Sequence, residues 1–140
     1  MESLLDSLIY RNIFDVTELA LDLTNINIEN KDKRFRVKSS FLVISRRQKN
    51  RVVNGLSLVS KDKRLNFIIG CFMENCELIK KRIVIIDELS PDTKKNACEE
   101  IEKFNNEKIT KLKEDWRMQS LDSLSEESLK EEIRKWKMWK

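Results

Sequence analysis

Apolar residues recur at helical spacing near both ends of the chain and at every second position through its middle, and this change of period predicts the layout. Residues 2–14 place Leu4, Leu5, Leu8, Ile9 and Ile13 on one stripe, with Glu2 and Asp6 near the start. Acids there complement the partial positive charge of a helix N-terminus. Asp15-Val16-Thr17-Glu18 has the spacing of a capping box and predicts a second short helix. The competing reading is a strand, because Leu19, Leu21 and Leu23 alternate. Residues 25–32 are polar, carry three Asn and predict a loop.

From residue 34 the period becomes two. Phe35, Val37, Phe41 and Val43 fall on one face of a strand over 34–46, and Val52, Leu56 and Leu58 alternate over 51–60. Leu65, Phe67, Ile69, Cys71 and Met73 alternate along a third strand. Leu78 and the apolar run 83–86 mark a fourth. Gln48-Lys49-Asn50, Lys61-Asp62-Lys63 and Glu74-Asn75 supply the turns. Short connections imply antiparallel neighbours, so residues 34–86 are predicted to form a meander.

Ser90-Pro91-Asp92 is the sharpest local signal. Ser caps, Pro fits the first helical position and the acid suits the first turn. The helix it starts is predicted to run to Met118, with Ala97, Ile101, Phe104, Ile109, Leu112 and Trp116 on one side. Residues 119–125 break it, and the spacing of Ser123-Leu124-Ser125-Glu126 starts a last helix carrying Leu129, Ile133 and Trp136. The predicted fold class is therefore α+β: an N-terminal helix, a four-stranded antiparallel β-meander and two C-terminal helices. The 140 residues suffice for one domain with its own core, divided into an acidic helical lead (1–30), a basic sheet (31–87) and a helical C-terminal part (88–140).

Charge follows the same division. The net charge of +4 conceals +10 over residues 31–87, flanked by −5 over 1–30 and −1 over 88–140. A field of that sign attracts anionic partners. The chemistry the chain lacks is as informative. It has no histidine, which removes the commonest general base and metal ligand. With Gly55 and Gly70 as its only glycines it offers no Gly-rich phosphate loop. Cys71, Cys76 and Cys98 fall short of a zinc ligand set and read as small buried residues. A hydrolase working with carboxylates alone is the remote option. The expectation is a protein that is not an enzyme and uses no cofactor or metal.

An odd, sparse cysteine set suits a reducing, intracellular compartment, cytoplasmic or nuclear. Leu4–Ile9 is interrupted by Asp6 and does not read as a signal peptide, and no stretch reaches the length of a membrane span. No membrane partner is expected.

Arg34, Arg36 and Lys38 alternate, which on a strand puts all three on one side. Arg46, Arg47, Lys49 and Arg51 surround the first predicted turn; Lys61, Lys63 and Arg64 surround the second. Such a sheet surface suits a phosphate backbone, so the leading expectation is binding of RNA or DNA without sequence specificity, or of an acidic protein. Phe35, Phe41, Phe67 and Phe72 read mostly as core residues, leaving little for base stacking. The plainer reading is that these charges keep strand edges and turns solvated. The alternative function is a protein–protein adaptor or assembly subunit. Its interface would be apolar helical faces with Trp136 and Trp139 of the tail Trp136-Lys137-Met138-Trp139-Lys140, and the same C-terminal helices could join copies into a homo-oligomer. Against that, the two tryptophans could equally dock onto the core.

The order helix, meander, helices resembles that of RWD-type adaptor domains, although Leu89-Ser90-Pro91 stands where those domains carry a tyrosine/proline signature. Arg34-Phe35-Arg36-Val37 and Asp87-Glu88-Leu89-Ser90 are similar to basic sheet-plus-helix domains of viral nonstructural proteins, a resemblance that implies RNA binding.

Overall fold

Residues 34–86, predicted as a sheet, are instead two long helices and the connection between them. The computed structural model describes residues 5–138, with side chains through residue 136, and no strand occurs among them. The α+β prediction, its antiparallel meander and both resemblances that required a sheet are therefore overturned. A π-helical turn, Asp6–Tyr10, leads without a break into α1 (Arg11–Asn25). Then come α2 (Lys31–Gly55), α3 (Arg64–Val84), α4 (Pro91–Met118) and α5 (Glu126–Met138). The spacing at Asp15–Glu18 caps nothing, because it lies inside α1.

The apolar stripes explain the change. On α2, Val37, Phe41, Ser45, Gln48 and Val52 form one buried line at intervals of three and four residues. On α3 the line is Ile68, Cys71, Phe72, Asn75, Cys76, Ile79 and Ile83. Each stripe passes through polar residues, at or beside the positions whose polarity predicts turns. The alternating residues, expected in a sheet core, lie partly outside: Phe35 is 70% exposed and Met73 56%.

Helices α1 to α4 form an antiparallel bundle in which α2 packs on α1 and α3, and α4 packs on α3 and α1. Short connections at residues 26–30 and 85–90 reverse the chain at one end. At the other end, two 3-10 turns, Leu56–Leu58 and Lys61–Lys63, link α2 to α3. Helix starts follow ordinary capping chemistry. Asn30, Ser90 and Ser125 accept from the backbone N–H three residues on, each at 3.1 Å. Ser90 and the bounds of α4 agree with the sequence prediction. For α5 the cap is Ser125.

The core has two apolar parts. One gathers Leu5, Ile9 and Ile13 with Val52, Leu56, Ile68, Phe72, Leu112 and Trp116; α5 seals it with Leu129, Ile133 and Trp136. The other gathers Val16, Ala20, Val37, Phe41, Cys76, Ile79, Ile83, Ala97 and Ile101. Between them lies a buried polar layer to which every bundle helix contributes: Thr17, Ser45 with Gln48, Asn75 and Asn105. The level is fixed by contacts on either side. Asp15 meets Lys108 at 2.8 Å, Arg51 pairs with Glu74, and Lys80 reaches Glu102 at 3.7 Å. Thr17 and Ser45 hydrogen-bond each other. Asn75 is fully buried, and neither its amide nor Oε1 of Gln48 has a hydrogen-bond partner among the described residues.

Candidate polyanion-binding face

Helix α2 carries nine of the 28 Lys/Arg of the chain against one acid, Asp32, and so concentrates a net charge of +8 on one rod. At 1.5 Å per residue that rod is about 37 Å long. Being helical, it distributes its bases differently from a strand. Successive residues turn by about 100°, so Arg36 lies about 200° from Arg34. Lys38 borders the flank toward α1, and Arg34, two turns before the buried Phe41, is half-buried. Arg36 stands on the other flank, near Glu88. The expectation that Arg34, Arg36 and Lys38 project from one side is thereby corrected.

Three of the nine bases are engaged within the molecule. Lys33 pairs with Glu88, whose carboxyl is held below its usual range chiefly by that contact. Lys49 sits over the Tyr10 ring, 4.5 Å from its centroid. Arg51 pairs with Glu74 of α3. The other six, Lys31, Arg34, Arg36, Lys38, Arg46 and Arg47, make no ion pair with any described residue. Arg36 and Arg47 are exposed on the outward side, with Val43 between them along the helix, and Arg46 is exposed beside them. Lys38 and Arg46 also border a groove against α1, where Glu18 and Asp22 face them.

The remaining candidates scatter. Lys61 and Lys63 are exposed in the connection to α3, at the end of the bundle away from Arg34. Arg64 is 2% exposed, and its guanidinium donates to the backbone carbonyl of Leu124 at 2.9 Å. It buttresses the turn before α5. Trp136 is fully buried in the core, and Leu129 and Ile133 beside it are used the same way; Trp139 lies outside the described residues. The apolar face of α5 assigned to a partner or to self-association thus closes the bundle.

Cys71 and Cys76 are buried free thiols and Cys98 is half-buried, each with its pKa raised by burial. Neutral thiols are poor nucleophiles. Among the described residues, no group of three or more Cys, Asp or Glu is placed to hold a metal. No described helix is long and apolar enough to cross a membrane. The residue that sequence reasoning missed is Phe35, which belongs to neither core cluster. Its local signal is five bases within eight positions, Lys31 to Lys38. Compared with known proteins, the chain matches no family model, no curated protein and no solved structure.

Proposed function

We propose that this chain is a non-catalytic binding protein whose helix α2 engages RNA or DNA through the phosphate backbone, without sequence preference. The observation that carries the reading is the set of six bases on α2 that lack an intramolecular ion pair among the described residues. Lys80 and Lys108, by contrast, are matched by acids of neighbouring residues or helices. Unmatched bases along one rod raise the potential outside it and suit a chain of phosphates, where many weak contacts add. Phosphate contacts of this kind carry no base information.

The test is retardation of a 20-nucleotide single strand and of the matching duplex at low ionic strength. The wild-type chain should bind both. R36E/R47E should weaken both by at least tenfold, while K103E/K111E, a control on the outer side of α4, should leave them within twofold. All four positions are exposed, so helix content is expected to be unchanged. Failure of the wild type to retard either nucleic acid would retire the reading.

A further inference from the structure

We infer that Phe35 is a stacking residue and that the preferred ligand of the α2 face is single-stranded nucleic acid; this rests on the reading just proposed. Three observations support it. Phe35 is 70% exposed, makes no ring contact among the described residues and packs in neither core cluster, so the bundle does not use it. It stands in a stretch with five bases in eight positions, with Lys31 one turn before it, Lys38 almost one turn after it, and Arg34 and Arg36 on either side. None of those four bases makes an ion pair with a described residue.

An aromatic ring held at the surface among unpaired cations offers a π-face and phosphate contacts within one helical turn. Unpaired bases stack on such a ring whatever their sequence, because every base has a π-face. A duplex keeps its bases stacked on one another and presents only phosphates to a convex helix. The ring therefore adds affinity for a single strand and nothing for a duplex. A lipid surface is the weaker fit. The apolar stripe of α2 is buried in the bundle, and a lone ring between charged neighbours lacks the broad apolar face of an interfacial helix.

The experiment measures anisotropy of a labelled 20-nucleotide single strand and of its duplex, with wild type, F35A and F35W at one salt concentration. F35A removes no buried group, so it should fold as the wild type does. It is expected to weaken single-strand binding by about tenfold or more. Duplex binding should stay within twofold, and F35W should retain both, with its indole fluorescence quenched by the single strand. Unchanged single-strand affinity in F35A would overturn the inference and leave the basic-face reading standing. So would an equal loss for single strand and duplex, or quenching of F35W by anionic phospholipid vesicles alone. A wild type that binds neither nucleic acid would retire both readings together.

Discussion

Ser120 follows α4 with φ of 51°, the left-handed conformation that side chains resist and glycine adopts freely. Ser120→Gly should therefore raise stability by about 1 kcal/mol, read from chemical denaturation. At the other end of the same helix, Ser90 accepts from the Thr93 N–H, and Ser90→Ala should cost about 1 kcal/mol. Cys76 makes a pH-dependent contribution. Burial, opposed by the charge of Lys80, pushes its thiol up to about 11 from an ordinary 9.0. In the unfolded chain the thiol ionises from about pH 9, while in the bundle it stays neutral toward pH 11. Its contribution is therefore complete below pH 9 and is lost as pH rises to 11, at about 1.4 kcal/mol for each pH unit separating the folded and unfolded pKa values. The stability difference between wild type and Cys76→Ala should shrink by about 2 kcal/mol between about pH 8 and pH 11. A constant difference would show that the thiol is not held neutral.

The elements owe their arrangement to a core that changes character halfway along. Asn75 is fully buried with an amide unpartnered among the described residues, and leaving such a group unsatisfied costs about 1–3 kcal/mol. Leu has nearly the same branched shape, so Asn75→Leu should stabilise the bundle, by about 1 kcal/mol or more in thermal or denaturant unfolding. A loss of stability would mean that the amide is satisfied in solution. Helix α5 seals one of the two apolar parts, and truncation after Glu132 removes Ile133 and the fully buried Trp136. Loss of a buried Trp alone costs about 3–5 kcal/mol, and the melting temperature should fall accordingly. The same polar layer explains what can be read from the sequence. Helix α4 is legible because Ser90-Pro91-Asp92 satisfies a helix start and Ala97, Ile101, Leu112 and Trp116 follow at helical intervals. The last helix is legible through Leu129, Ile133 and Trp136. In the middle, Ser45, Gln48 and Asn75 interrupt the stripes of α2 and α3 and hide the true period. The exposed Phe35, Val43 and Met73 offer a false one. The bases of the candidate face are legible as residues but not as a surface, since alternation means one side on a strand and opposite sides on a helix.

As a whole the molecule is electrically lopsided. Helix α2, with a net charge of +8, occupies one corner of the bundle. The lead from Asp6 to Asn25, at −3, packs beside it, and α4, with equal numbers of bases and acids, takes the opposite corner. The acids of the lead face Lys38 and Arg46 across the groove and leave Arg36 and Arg47 to the outward side. Counterion release gives that outward charge a direct readout, because each phosphate contact on a single strand adds about 0.7 to the slope of log affinity against log salt. The decisive measurement is that slope for a single strand, compared between wild type and R36E/R47E. We expect it to be steep for the wild type and shallower by about 1.4 in the variant, the loss of two contacts. Equal slopes would show that the outward face of α2 meets no phosphate, and would contradict the account.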